Sequence, residues 1–386
     1  MSESAEDRFE TLAVHAGATP DPATGAVVPA IQPSTTFKQD AVGAPRQGFE
    51  YARSDNPTRR ALEATIAALE GGSHGLAFAS GLAATQNLLY LLDPGDRILM
   101  TDDAYGGTWR LAQQVMARYG VKTDAVDLRD LDVVDRALRS RPSARMVWIE
   151  TPTNPLLKVV DIAGVSRLAA SAGALTVVDN TFATPFLQRP LDLGADVVLH
   201  SATKYLGGHS DVVSGLVVTR SAQIAERLRF TQNAAGAVPS PFDCWLLMRG
   251  IRTLAVRMER ACAGAARIAE WLTTRADVER VYYPGLPHHP QRDLVERQMR
   301  LPGAIVSFQI RGGGQAAHRF AAATRLFTLA ESLGAVESLI EVPAAMTHLS
   351  VADTRLAVPP DLIRLSVGIE HVDDLVADLA HAFEAA

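Results

Sequence analysis

The chain carries only two cysteines, Cys244 and Cys262, in 386 residues. Two thiols cannot build a disulfide framework, so a reducing, cytoplasmic setting is the expectation. Lysine is almost as scarce. Lys38, Lys122, Lys158 and Lys204 are the only four, and the other 33 of the 37 cationic residues are arginine. Chemistry that needs a lysine amine therefore has four candidates. Excess positive charge is also lacking: 37 cationic against 43 acidic residues leave a net charge of −6. That excludes the basic footprint of a nucleic-acid binder and a polybasic patch for anionic lipid. No apolar run reaches 18 residues, so no membrane span is expected. The N-terminal MSESAEDRFE is acidic and polar, the opposite of a signal peptide. G-x-G-x-x-G, the Walker A loop, H-E-x-x-H and C-x-x-C are all missing, so nothing points to a dinucleotide, P-loop or metal site. Ser201-Ala-Thr-Lys204 and Ser54-Asp55-Asn56 match two elements of serine β-lactamases, but their order is reversed and no K-T-G exists.

What is present is an ordinary globular composition, 47% hydrophobic and 21% charged, with length for about two domains. Residues 1–60 show no clear periodicity and read as an irregular arm suited to packing on a partner subunit. A helix over Ala61–Glu70 ends at Gly71-Gly72. Short apolar runs follow at Leu76–Ala79, Arg97–Thr101, Val121–Val126, Arg145–Glu150, Leu175–Asp179, Asp196–His200 and Val213–Thr219. Helical stretches separate most of them, including Thr108–Tyr119, Leu131–Ser140 and Ile162–Ala172. This alternation predicts a mostly parallel sheet covered on both faces, with ligands beyond the carboxyl ends of the strands. Pro239-Ser240-Pro241 marks a boundary between a large domain, 61–241, and a smaller α+β domain, 242–386. The latter holds one long helical stretch, Phe242–Thr274, strands at Ala304–Ile310 and Ile363–Ile369, and a last helix from Val372.

The polar segments fall at the predicted strand ends. Lys204 follows the strand DVVLH and is flanked by Ser201 and Thr203, whose hydroxyls suit a phosphate; a solvated loop lysine is the plainer reading. Asp179 ends LTVVD, either as a cap or as a carboxylate in the cleft. Ser80-Gly81-Leu82 joins a strand to a helix, where Ser80 is a plain N-cap or the free amides hold an anion. Tyr105 after RILMT is a stacking plate or a rim residue. Asn154 is presented by a loop with two prolines. Arg364 stands inside LIRLSVGIE, where it needs either an internal ion pair or a bound carboxylate. His288-His289 reads as a surface loop rather than a metal site.

Taken in order, FEYARSDNPTR, FASGLAAT, DDAYGGTWR, WIETPTNP, VVDNTFATP, HSATKYLGGHSDV, GAVPSPFDC, SLGAVESL, PAAMTH and LIRLSVGIE resemble the blocks of the Cys/Met-metabolism family of pyridoxal-phosphate enzymes, the transsulfuration enzymes. The resemblance covers nearly the whole chain. It implies a type I, aspartate-aminotransferase-like fold, pyridoxal 5'-phosphate as cofactor, amino-acid substrates and a homotetramer of two dimers. It further implies that Lys204 holds the cofactor covalently and shuttles protons, that Asp179 pairs with the pyridinium nitrogen, and that Tyr105 stacks on the ring and joins in substrate deprotonation. Gly81, Leu82, Ser201 and Thr203 would bind the phosphate, and Tyr51 and Arg53 would reach the phosphate of the neighbouring subunit. Asn154, Ser338 and Arg364 would hold the substrate, with Glu337 and Arg110 near its distal end. The blocks lean toward the cystathionine γ-lyase branch, because Gly106 stands where methionine γ-lyases carry a cysteine and LIEVPAAMTH lacks the histidine common before the proline in the synthase branch. Ala335 departs from the family's usual double glycine. The implied reaction is α,γ-elimination of cystathionine to cysteine, 2-oxobutanoate and ammonia; γ-replacement by a cystathionine γ-synthase, or a related γ-lyase activity, is the alternative.

Overall fold

The computed structural model describes residues 7–349 and 357–386. The first six residues of the expected arm and 350–356 of the expected C-terminal domain lie outside them. Two short strands, β1 (Gln39–Ala41) and β2 (Ala44–Pro45), form a hairpin in the N-terminal segment. The central sheet has seven strands: β3 (His74–Phe78), β4 (Arg97–Thr101), β5 (Lys122–Val126), β6 (Ala144–Glu150), β7 (Leu175–Asp179), β8 (Val197–Ser201) and β9 (Gly215–Thr219). Their order is β3-β9-β8-β7-β6-β4-β5, and only β9 runs against its neighbours. The mostly parallel sheet is therefore present, and its strands read as near-continuous apolar runs because both faces are covered.

A second sheet lies C-terminal in sequence: β10 (Val278–Tyr282), β11 (Ile305–Ile310), β12 (Thr328–Leu329), β13 (Leu339–Glu341) and β14 (Leu362–Ser366), ordered β10-β11-β14-β13-β12. β14, which carries Arg364, sits at its centre. Among the described residues no helix is long and apolar enough to cross a membrane.

Three expectations change in detail. The arm is not irregular throughout, since Phe9–His15 is a helix. It joins the core through buried Ala13 and an edge-to-face contact of Phe9 with Phe186 at 5.3 Å between centroids. Thr65 Oγ1 donates to the carbonyl just beyond it, at Ala16, over 2.7 Å. The long helix over 242–274 is two helices, Pro241–Ile251 and Leu254–Thr273. The break follows Gly250, whose carbonyl accepts from Arg257 Nη2 at 2.8 Å and from the Thr253 backbone at 3.2 Å. Pro241 itself is a helix start, with Ser240 capping the Asp243 amide at 3.1 Å. Finally, the helix expected over 108–119 starts at Gly106 and changes pitch twice, passing from α to π at Leu111 and to 3-10 at Met116.

Candidate active site

The parallel topology brings the carboxyl ends of β3, β4, β6, β7 and β8 to one edge of the central sheet. A cavity of about 340 Å³ opens there, lined among others by Gly81, Leu82, Tyr105, Asn154, Asp179, Ser201, Thr203, Lys204 and Arg364. Nine of the residues singled out from the sequence thus converge. His288-His289 line a separate cleft, and no group of three or more metal-ligating side chains occurs among the described residues.

Each side chain is set by its local structure. Ser80 caps the helix Gly81–Leu89 by accepting from the Ala83 amide at 3.0 Å. A Cβ at Gly81 would lie 2.9 Å from Ser201 Cβ, so glycine is what lets the helix N-terminus and the Ser201 hydroxyl share one cradle. Thr203 is tied to Ser214, accepting from its amide at 3.0 Å. The free amides, the helix dipole and these hydroxyls make a phosphate-type anion site. Asp179 accepts from the Thr181 amide at 3.1 Å and the Thr181 hydroxyl at 2.5 Å. Both bonds land on Oδ1, and among the described residues Oδ2 accepts none, so it is available to a protonated ring nitrogen. Tyr105 lies with its ring against Gly107, where a Cβ would come within 2.5 Å of the ring. Burial raises the Tyr105 phenol above its ordinary pKa.

Lys204 Nζ donates to Ser332 Oγ at 2.7 Å. Burial first, and the nearby Arg364 guanidinium second, push the amine down to about 8. A lysine in that range has a neutral, nucleophilic fraction near neutrality that an ordinary lysine lacks. Arg364 is buried. Its Nη1 donates to Asn154 Oδ1 at 2.9 Å and ion-pairs with Glu341 at 3.0 Å, while Nη2 donates to the Ser332 carbonyl at 2.8 Å. The internal ion pair and the cavity-facing position hold together.

The other sequence-derived residues stand outside the cavity wall of the single chain. Ser338 is buried, with its hydroxyl 2.9 Å from Glu370. Arg110 and Glu337 are exposed. Tyr51 is 47% exposed, and Arg53 donates to the Asn233 carbonyl at 2.6 Å on the outer surface. Conversely, Glu150, Thr181, Glu331, Ser332 and Thr347 line the cavity and were passed over in the sequence. Glu150 was within reach, as the last residue of an apolar strand in WIETPTNP. Glu341, the partner of Arg364, was not, because nothing in one sequence gives the register of β13 on β14.

An anion cradle, a carboxylate with a spare oxygen, a flat aromatic wall and a depressed lysine in one cavity match the donor set of a phosphorylated pyridine aldehyde. The comparisons agree. Residues 10–384 match the family described as Cys/Met metabolism PLP-dependent enzyme. The chain is 55% identical over 373 residues to a cystathionine γ-synthase of Mycobacterium tuberculosis, covering 96% of each. It is 50% identical over 379 residues to a cystathionine β-lyase of Lactococcus lactis, covering 97% of this chain and 99% of the relative. The solved structure of a cystathionine γ-lyase from Lactobacillus plantarum, complexed with L-serine, superposes with a TM-score of 0.94 at 45% identity, over 98% of this chain and 99% of that one. The chain belongs to the Cys/Met-metabolism family of pyridoxal-phosphate-dependent enzymes, with their type I fold.

Proposed function

We propose that this enzyme acts at Cγ of cystathionine and its precursors, forming cystathionine from an activated homoserine and cysteine. The observation that carries the substrate class is the Arg364 fork held between Asn154 and Ser332 in the same cavity as Lys204. A buried, oriented guanidinium selects an α-carboxylate, and Lys204 and Arg364 both contact Ser332 in that cavity. The 55% identity to a γ-synthase supports replacement as the leading reaction. The second reading, α,γ-elimination of cystathionine, is favoured by the LIEVPAAMTH segment and by likeness to a named γ-lyase.

Bound pyridoxal phosphate supplies the electron sink that acidifies Cα and then Cβ. The chain's own residues do the rest. Lys204 Nζ carries protons between Cα and the departing or arriving groups. Asp179 would keep the ring nitrogen protonated. Tyr105 would cover the ring and take part in deprotonation. Gly81, Leu82, Ser201 and Thr203 would hold the phosphate. Replacement and elimination share every step up to loss of the γ-substituent and differ in whether a thiol or a proton is then taken up at Cγ. In the assembled protein, Tyr51 and Arg53 complete the phosphate site of a neighbouring subunit within a homotetramer, and Ser338, Arg110 and Glu337 bound the substrate's reach.

The test is incubation with an O-acylhomoserine plus cysteine, and separately with L-cystathionine, following cystathionine, cysteine and 2-oxobutanoate. Cystathionine formation faster than 2-oxobutanoate release supports replacement; the reverse ranking makes the enzyme a lyase; neither product overturns the Cγ reading.

A further inference from the structure

Glu150 is the last residue of β6 and stands in register with Asp179, the last residue of β7. Side chains paired across adjacent strands share a face, and both line the cavity. Two carboxyls therefore sit side by side at the ring-nitrogen end. Glu150 is only 4% exposed. Its Oε2 accepts from the backbone N–H of Tyr105 at 2.8 Å. One side chain at the end of β6 thus pins the turn that carries the aromatic wall. Its own strand end is anchored too, since the Glu150 amide donates to Thr101 Oγ1 at 3.0 Å.

We propose that Glu150 is a positioning residue that fixes the turn carrying Tyr105 about the cofactor, beside the Asp179 that would face the ring nitrogen. The groups facing it are Asp179 on β7, Asp103 in the turn after β4 and Tyr105. Burial first and the Asp179 charge second raise its pKa well above the carboxylate range, with Asp103 acting the same way. Burial raises Asp179 too, but the two Thr181 hydrogen bonds and His200 oppose that shift. Of the two coupled carboxyls, Glu150 is therefore the one pushed further toward its neutral form. A second anion at the ring nitrogen would gain nothing, whereas a neutral acceptor orders the Tyr105 turn at no cost in charge.

This inference rests on the proposed roles of Tyr105 and Asp179. Its test uses the holoenzyme and five variants: Glu150→Gln, Glu150→Asp, Glu150→Ala, Tyr105→Phe, and Glu150→Ala combined with Tyr105→Phe. Glutamine keeps the acceptor and the neutrality, so it should recover most of what alanine loses. The expected kcat loss is about 30- to 100-fold for alanine and about 3-fold for glutamine, in line with the cost of small misplacements of reacting groups. Aspartate, which keeps a carboxyl but withdraws the acceptor by one methylene, should fall below glutamine. The visible circular dichroism of the bound cofactor, which reports the aromatic wall, should change in the alanine variant and stay near wild type in the glutamine variant. In the Tyr105→Phe background the alanine substitution should cost much less, because coupled residues are not additive. Glutamine as damaging as alanine, aspartate better than glutamine, or full additivity with Tyr105→Phe would each overturn the proposal. Should the alanine variant fail to fold, the ranking of glutamine over aspartate and their dichroism decide alone. Failure of the underlying reading looks different: Tyr105→Phe and Asp179→Ala would then each keep near-wild-type turnover.

Discussion

Glu341 and Arg364 are cross-strand partners on β13 and β14, with carboxylate and guanidinium 3.0 Å apart and both side chains buried. Glu341 therefore supplies the counter-charge that Arg364 requires when no substrate is bound, and a substrate carboxylate must share that cation with it. Among the described residues the buried Arg364 Nε has no hydrogen-bond partner.

The first prediction follows from this sharing. Arg364→Lys keeps the charge but loses the planar fork. It should lower kcat/KM by about 30- to 1000-fold, the size of a lost bidentate charge pair. The loss should be similar for cystathionine and for a homoserine ester, since both present the same carboxylate. Glu341→Gln should do the opposite to binding, lowering KM, while reducing thermal stability because a buried ion pair is broken. Steady-state kinetics with both substrates and a melting curve check this. A change in substrate ratio alone in Arg364→Lys would return Arg364 to a purely structural role.

Lys204 gives a prediction in pH. In cofactor-free protein its amine is pushed down to about 8 from an ordinary 10.5. Between those values the unfolded chain binds the extra proton, so this residue makes folding more favourable as pH rises from about 8 to 10.5. Below that window the full burial cost is present. Lys204→Met should therefore stabilise the cofactor-free protein at pH 7, by on the order of 1–3 kcal/mol, and the gain should vanish above pH 10.5. Capture of added pyridoxal phosphate by the wild type needs the neutral amine, and its rate should rise with a midpoint near pH 8. Thermal melts across pH and stopped-flow absorbance measure the two effects.

The sequence made the strand ends legible because a parallel sheet buried on both faces reads as apolar runs closed by polar residues. With only four lysines, Lys204 stood out at such an end, and Asp179 and Tyr105 stood at two others. What stayed hidden depends on pairing across the fold. Glu341 meets Arg364 only through the register of β13 on β14, and Ser332 reaches Lys204 from 128 residues away. Glu150 was visible as a strand end, but its hold on Tyr105 is a backbone contact that no residue pattern encodes. The helix Phe9–His15 escaped notice because seven residues are too few to show a period.

Asp179 carries the third prediction. Thr181 occupies Oδ1 with two hydrogen bonds and thereby fixes the carboxylate plane. Asp179→Ala removes the only side chain proposed to keep the ring nitrogen protonated. Turnover should drop by about 100-fold or more, since an unprotonated ring is a poor electron sink. Pyridoxal phosphate should also be lost faster on dialysis. Thr181→Val, which removes one of the two bonds, should show the same direction with a smaller effect. Near-normal activity and retention in Asp179→Ala would refute the assignment.

The last prediction concerns the arm. Tyr51 is half exposed, and Val27, Ile31 and Val42 are exposed as well, an unusual amount of apolar surface for one segment. Arg53 leans on Asn233 on the outside of the chain and does not line its own cavity. Such a segment gains most by packing on a second copy, where an arginine and a tyrosine can reach a phosphate that Gly81 and Ser201 hold from the other side. Two active sites per dimer would then each need both chains. Arg53→Ala alone and Lys204→Ala alone should both be nearly inactive. Mixed under conditions that exchange subunits, they should regenerate hybrid dimers with one fully wild-type site and one site lacking both residues. Recovery of up to about a quarter of wild-type activity is expected, because random pairing makes half of the dimers hybrid and each hybrid has one good site of two. Native mass spectrometry verifies the exchange independently of turnover. Verified exchange with no recovery would mean that Arg53 serves no neighbouring site.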